Sequence, residues 1–246
     1  MPLGKGLFIA GSDTGVGKTM VSAGLTAALR QRGLDAGYLK PVGTEAQCVD
    51  GRPVNPDAVF VGRMAELPEP AWRLNPFCLS APLSPLAAAR REGVTLDFGQ
   101  IVAACRQALD EREFCVIEGA GGVMVPLCEG KLMLDLMAEL ALPVLVVGRP
   151  GLGTINHTLL TMLAARSRGL AVVGFVFSGG GEGVELDPSR HANPALTEEF
   201  GGAPYLGALP DMGGGEISPR ALRAAAGAWL DIDGLLAALN RATNQG

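Results

Sequence analysis

Aromatic residues make up only 5% of the 246-residue chain, and no dense run of lysine and arginine occurs in it. With a net charge of −5 there is neither the basic footprint nor the stacking surface that nucleic-acid binding draws on. The five cysteines (Cys48, Cys78, Cys105, Cys115, Cys128) are odd in number and include no Cys-x-x-Cys pair. That speaks against a disulfide framework and against a zinc site, and for buried reduced thiols. The longest apolar run, residues 141–147, is far too short to span a bilayer. At the N-terminus a short apolar run meets a glycine-rich loop at once, unlike a secretory leader. The expectation is a soluble, cytoplasmic protein with no membrane and no nucleic acid among its partners.

What is present is apolar and periodic. The chain is 48% hydrophobic and 18% charged, enough to fill the core of a single domain spanning residues 1–246. Continuous runs rich in Val, Ile and Leu recur at 7–10, 37–39, 114–117, 144–147, 172–177 and 205–208. Runs that do not alternate are the mark of parallel strands covered on both faces. Amphipathic stretches at 18–32, 98–112, 154–168 and 194–200 separate them and predict helices, with Asp97 as an N-cap and Gly33 and Gly169 as C-caps. Strand and helix alternating in this way predict an α/β fold, a doubly wound and mainly parallel sheet. A proline-punctuated excursion, residues 44–95, is too long to be simple connection and points to function. Residues 178–183 are glycine-rich and read as a mobile loop, and 230–241 as a C-terminal helix on the outside.

The sharpest signal follows the first apolar run. Gly11-Ser12-Asp13-Thr14-Gly15-Val16-Gly17-Lys18-Thr19 is a glycine-rich loop running into a helix. Such a loop turns backbone N–H groups onto phosphate oxygens, its lysine reaches the terminal phosphates, and its Thr hydroxyl can ligate Mg²⁺. The helix dipole points at the same anion. The first glycine of the loop, Gly11, lies one residue further from Gly17 than in the common form, where position 12 would be the glycine.

In an open parallel sheet, ligands sit beyond the carboxyl ends of the strands, so polar residues there are the candidates. Lys40, held extended by Pro41, is either a solvated strand-end lysine or a second cation beside the loop. Glu118, ending one run before Gly119, Ala120 and Gly121, is either a hydrogen-bonded strand-end carboxylate or a Mg²⁺ ligand followed by a flexible turn. Asp57 is either a helix N-cap or a further metal ligand. Asp13 reads as structural, accepting loop N–H bonds. The segment 151–157 is either an ordinary connection or an anion-holding helix start. His157 and His191 have no partner at metal-ligand or triad spacing and read as structural.

Taken in order, these motifs resemble dethiobiotin synthetases, ATP-dependent carboxylating ligases of biotin biosynthesis. The resemblance rests on the loop 11–19, Lys40-Pro41-Val42 with Thr44, Asn55 to Asp57, and Ala81-Pro82-Leu83-Ser84-Pro85. It continues through Glu118-Gly119-Ala120-Gly121-Gly122, the run 142–148 and Leu152-Gly153-Thr154-Ile155-Asn156-His157, so that it covers about residues 5–212. It implies a P-loop NTPase-type core, ATP and Mg²⁺ as requirements, and a homodimer acting on 7,8-diaminononanoate and CO₂ or bicarbonate. By the same resemblance Lys18 and Lys40 are catalytic, and Thr19, Asp57 and Glu118 hold the metal. Asp13, Gly15, Val16, Gly17, Lys18, Thr19, Met20, Asp57, Glu118, Gly119, Ala120, Gly121, Ser178, Pro210, Asp211 and Met212 are the implied nucleotide and metal contacts. Thr14, Lys40 and Thr44 are the implied substrate contacts. Gly151, Leu152, Gly153, Thr154, Ile155 and Asn156 would come from the neighbouring subunit to hold the substrate carboxylate.

Two other classes fit parts of the pattern. Amidating ligases of the cobyrinic-acid type share the N-terminal half but continue into a glutaminase domain. Nucleotide-switched partitioning ATPases carry an extra early lysine in the loop and a basic surface element, and positions 11–16 hold no lysine. Within the resembling family one position departs: Ser178 stands where an Asn usually reads the adenine edge. A hydroxyl cannot offer an amide's paired donor and acceptor, so the chain is expected to discriminate weakly among nucleotides. Comparison of kcat/KM for ATP, CTP, GTP and UTP checks this. CTP or GTP should be used well, and a preference for ATP of about 10³-fold or more contradicts it.

Overall fold

The six apolar runs pair into one parallel sheet, and each strand stops where its polar or glycine residues begin. The structure, a computed structural model, describes residues 4–49, 51–180, 187–213 and 215–244. The strands are β1 (Gly6–Gly11), β2 (Ala36–Leu39), β3 (Phe114–Gly122), β4 (Val144–Gly148), β5 (Val172–Gly180) and β6 (Tyr205–Pro210). Their order is β6-β5-β4-β1-β3-β2 and every pairing is parallel. The chain therefore reverses its winding direction at β1, and its switch point lies beside the carboxyl end of that strand.

Among the described residues, ten helices cover the sheet and its rim. They are α1 (Lys18–Gln31), α2 (Pro56–Met64), α3 (Ala71–Leu74), α4 (Pro85–Glu92) and α5 (Phe98–Asp110). The remainder are α6 (Met133–Leu140), α7 (Thr154–Ser167), α8 (Ser189–Gly201), α9 (Pro219–Trp229) and α10 (Ile232–Thr243). On one face, Val21 and Leu25 of α1, Leu222 and Ala226 of α9 and Leu235 and Leu239 of α10 share a core with Leu7, Ile9, Val116, Leu145 and Val147. On the other, Ile101 and Cys105 of α5, Leu136 and Met137 of α6 and Met162 and Ala165 of α7 share a core with Phe8, Ile117 and Val146. Alternate residues of the same strand thus serve opposite cores, which is why β1 and β4 are buried throughout.

Several local expectations hold. Asp97 caps α5 by accepting from Gln100 N at 2.8 Å, and Gly33 and Gly169 follow α1 and α7 with positive φ. The C-terminal α10 packs its apolar stripe on the core. Other expectations need correction. Glu118 does not end its strand: β3 continues to Gly122, because β1 runs alongside it as far as the pairing of Gly11 with Gly122. Gly119 passes close to the core there, and a Cβ on it would lie 3.1 Å from the Phe8 ring. Ser178 likewise sits within β5, paired with Leu209. Of the mobile loop expected at 178–183, positions 178–180 are strand and 181–183 lie outside the described residues.

The helix expected at 194–200 starts earlier, at Ser189, and carries Pro194 inside it. Two cysteines depart from the buried-thiol reading, Cys48 being exposed and Cys78 half-buried, although all five are free. His157 and His191 are both exposed. Asp57 is not an N-cap. Asn55 is, accepting from Asp57 N at 2.9 Å ahead of Pro56.

The excursion between β2 and α5 is not a bare loop. It holds α2, α3, α4, a parallel pairing of Val42–Gly43 with Phe77–Cys78 and a hairpin of Gln47–Val49 with Arg52–Val54. Buried Asn75 ties it to the sheet: its Nδ2 donates to Lys40 O at 2.8 Å and its Oδ1 accepts from Asn55 N at 3.2 Å. Asn55 Nδ2 in turn donates to Thr44 O at 2.5 Å. Gly43 must be glycine for these to meet, because a Cβ there would lie 2.5 Å from the Cβ of Asn55.

Candidate active site

Gly17 enters α1 in the left-handed conformation (φ 91°) and offers no side-chain cap, leaving the first-turn N–H groups of α1 free for an anion. The same glycine lets β5 come close: a Cβ on it would collide with the Ser178 side chain. The loop is held by Asp13, whose Oδ1 accepts from Thr14 N at 2.7 Å and whose Oδ2 pairs with Arg149 Nη2 at 2.9 Å. The structural reading of Asp13 agrees with these bonds. Lys18 folds back over the loop, its Nζ donating to Asp13 O at 3.2 Å.

Beside the loop lies a cavity of about 380 Å³, lined by Thr14, Gly15, Gly17, Lys18, Thr19, Met20, Lys40, Thr44, Glu45, Asn55, Pro56, Asp57, Glu118, Ala120 and Gly121. The strand ends and the excursion meet here. Glu118 is fully buried, and its Oε1 accepts from Thr19 Oγ1 at 2.9 Å and from Lys40 Nζ at 3.0 Å. Its Oε2 accepts from the Tyr38 hydroxyl at 3.0 Å. Lys40, only 5% exposed, also donates to Asp57 Oδ2, so its ammonium bridges the two carboxylates.

The electrostatics follow from that packing. Burial works to lower the pKa of Lys40, but Glu118 and Asp57 together outweigh it and hold it above the ordinary lysine value. Lys18 has the opposite balance. Burial pulls it from 10.5 down to about 8 against the attraction of Glu118, and the charge of Lys40 adds to the fall. Burial, reinforced by Glu118, pushes the Tyr38 phenol well above its ordinary range, so it stays a hydrogen-bond donor.

The residues singled out in the sequence separate into three places. Thr14, Gly15, Gly17, Lys18, Thr19, Met20, Lys40, Thr44, Asp57, Glu118, Ala120 and Gly121 meet in the cavity. Val16 does not, being buried in the core against α1, and Gly119 packs on Phe8. Gly151, Leu152, Gly153 and Thr154 line a second hollow of about 450 Å³ across the loop, with Ser12, Gly15, Arg149 and Ser178. Thr154 turns its hydroxyl inward to Thr158 at 3.3 Å, Ile155 is half-buried, and Asn156 faces outward along α7. Pro210 ends β6 opposite Gly180, one residue past the Leu209 that pairs with Ser178, and Asp211 and Met212 follow it. Within one chain, segment 151–156 thus stays out of the Lys40 cavity.

The sequence reading missed Tyr38, Asn75 and Glu45. Tyr38 sits in an apolar strand with no polar neighbour to mark it, and Asn75 is far along the excursion. Only the glycine at 43, unexplained by a turn, hinted at a close approach there.

The parallel sheet, its glycine loop and the Lys-Thr pair opening α1 define a P-loop nucleoside-triphosphatase fold. A family model described as an AAA domain matches residues 5–214. The MinC:MinD cell division protein complex of Aquifex aeolicus has a similar fold, with TM-score 0.53 and 11% identity, over 98% of this chain and 96% of that one. Nearer in sequence are proteins named ATP-dependent dethiobiotin synthetase BioD. The chain is 38% identical over 208 residues to that of Bacillus licheniformis, covering 85% of this chain and 86% of the relative. It is 46% identical over 191 residues to that of Anaeromyxobacter sp. (strain K), covering 78% and 83%. The chain belongs to the dethiobiotin synthetase family.

The lowered pKa of Lys18 has a measurable consequence. Nucleotide phosphates favour the ammonium form and raise its pKa on binding, so affinity is full below about pH 8 and falls as pH rises through the free-state value. Calorimetric titration with a non-hydrolysable ATP analogue from pH 6.5 to 9.5, a range chosen to bracket about 8, should give a Kd that climbs toward ~10-fold per pH unit. Proton uptake should accompany binding at the high end. Lys18→Gln should bind weakly with no such slope, and a flat wild-type profile would contradict the assignment.

Proposed function

We propose that this chain, as one domain over residues 1–246, carboxylates 7,8-diaminononanoate with CO₂ and closes the ring to dethiobiotin, converting ATP to ADP and phosphate. The observation that carries the proposal is Lys40, a buried ammonium in the same cavity as Lys18 and Thr19 of the phosphate loop. Family membership supplies the substrate.

One amine of the substrate attacks CO₂ and loses a proton, giving a carbamate. A carbamate is a poor electrophile, so its oxygen attacks the γ-phosphorus of ATP and ADP leaves. The second amine then attacks the carbon of this carbamic–phosphoric anhydride, phosphate departs, and the cyclic urea remains. Two anions must approach each other in the middle step. Lys18 on the phosphates and Lys40 on the carbamate and transferring phosphoryl group neutralise that approach. The free N–H groups opening α1 and the loop residues Asp13 to Met20 hold the phosphates, and Thr14 and Thr44 flank the diamine.

A divalent cation fits the donors present. Lys40 already holds a positive charge between Asp57 and Glu118, and the Thr19 hydroxyl reaches the same Glu118 oxygen. Among the described residues no three His, Cys, Asp or Glu side chains gather as a metal cage. Mg²⁺ needs none, since it keeps waters and takes one or two carboxylates with phosphate oxygens. Thr19, Asp57 and Glu118 would hold it, and when bound it supplies charge neutralisation on the phosphates. Lys40 is then free to turn from the carboxylates to the carbamate.

At the other end of the nucleotide, Ser178 with Pro210, Asp211 and Met212 forms the base site. The substrate carboxylate is held by segment 151–156 of a second copy. A homodimer is further supported by Leu160 (55% exposed), Leu163 (64%) and Phe200 (70%), which border a groove between α7 and α8. Five free cysteines suit the cytoplasm as the place of action.

The test is conversion of diaminononanoate with ¹³C-bicarbonate and MgATP, followed by mass. Labelled dethiobiotin should form with one phosphate released per product. Lys40→Gln should lower kcat by ~10²-fold or more while nucleotide affinity stays within a few-fold. Phosphate release independent of the diamine would favour a nucleotide switch instead.

A further inference from the structure

We propose that Tyr38 is a positioning residue for Glu118, fixing which carboxylate oxygen faces the nucleotide cavity. The inference rests on the metal-site reading above and assigns the group that keeps that site in shape.

Tyr38 lies in β2 two residues before Lys40, and β2 pairs with β3 so that Tyr38 is opposite Val116. Side chains two apart on a strand share a face. Tyr38, Lys40, Val116 and Glu118 therefore all project on the side of the sheet that α1 covers, and the phenol reaches one step along β3 to the carboxylate. The ring is 3% exposed, packed in the core with Val116 and Ile9. It lies behind Glu118, outside the lining of the cavity.

The two carboxylate oxygens are divided between functions. Oε1 faces forward to Thr19 and Lys40, at 2.9 and 3.0 Å. Oε2 faces back to the Tyr38 hydroxyl at 3.0 Å. Both forward partners change during a catalytic cycle of the kind proposed, Lys40 moving to the carbamate and Thr19 turning to the cation. Among the described residues the Tyr38 bond is the one hydrogen bond to the Glu118 side chain that this cycle leaves in place. It matters because the terminal torsion of a glutamate is broad and nearly two-fold, so a carboxylate tethered only by its ligands is free to turn. An unpaired oxygen at full burial would also be costly. A phenol suits the task better than a cation, since it orients the carboxylate without cancelling the charge that attracts the metal.

Tyr38→Phe removes the hydroxyl and keeps the ring. In nucleotide-loaded protein, Mg²⁺ affinity by calorimetry should fall by ~10-fold or more. Affinity for the nucleotide without metal should stay within about two-fold, and kcat at saturating Mg²⁺ within a few-fold, with the loss appearing in the Mg²⁺ requirement. A second readout needs no Tyr38 variant. The chain has 2 tyrosines, and Tyr205 lies in β6 against Phe175, 5.3 Å between ring centroids. Fluorotyrosine-labelled protein therefore gives two ¹⁹F resonances, assigned with Tyr205→Phe. The Tyr38 resonance should move when Mg²⁺ joins the bound nucleotide and the Tyr205 resonance should not. Unchanged metal affinity in Tyr38→Phe, or a static Tyr38 resonance while calorimetry records metal binding, overturns the positioning role alone. Absence of any Mg²⁺ binding to the loaded wild type removes the metal site and the positioning role together.

Discussion

One buried ammonium sets the terms for everything around it. Lys40 stands between Glu118 and Asp57, nearly sealed from water, and its charge helps to lower the proton affinity of Lys18 beside it. A buried charge persists only with a partner, and leaving Glu118 without Lys40 would strand a carboxylate fully removed from water. The three groups come from the end of β2, from β3 and from the start of α2. The cluster thus fixes the relative position of two sheet strands and of the excursion that closes over them.

The excursion makes sense in that light. Asp57 could not reach Lys40 unless α2 began at the right height, and Asn55 sets that start by capping it ahead of Pro56. Asn75 then fastens the Asn55 backbone to the carbonyl of Lys40 itself. A buried polar network satisfied at every member is rigid. Here the rigidity keeps a cation and two anions at contact distance before any ligand arrives. Behind the cluster, the Tyr38 hydroxyl donates to Glu118 and Asn75 holds the Lys40 carbonyl.

Much of this was legible in the sequence. Continuous apolar runs pointed to parallel strands, and Gly-Lys-Thr after the first of them marked the loop that opens α1. Lys40 was marked by its place before a proline, and Glu118 by its place after four apolar residues. What the sequence could not convey was distance. Whether Lys40 was solvated or buried depended on Asn75 and Asp57, thirty-five and seventeen positions away. The glycines after Glu118 looked like a turn because glycine usually signals one. They are strand residues instead: Gly119 runs close to Phe8, and Gly121 takes a positive φ with Val125 close by. Tyr38 left no trace in a strand that reads as core, since its hydroxyl matters only through a carboxylate on the neighbouring strand. The segment 151–156 was visible as a motif, but its separation from the Lys40 cavity within one chain emerged only with the fold.

Lys40 lies between Asp57 and Glu118, the two carboxylates proposed above to hold a divalent cation, so ammonium and cation should compete for them. The direct measurement is the thermal midpoint of wild type and Lys40→Met, each with and without millimolar Mg²⁺ and no nucleotide. Without metal the variant should melt lower, its two carboxylates left facing each other unneutralised. Mg²⁺ should then raise the midpoint of the variant by more than that of the wild type, where the ammonium competes for the site. Equal Mg²⁺ shifts in the two proteins would contradict the account.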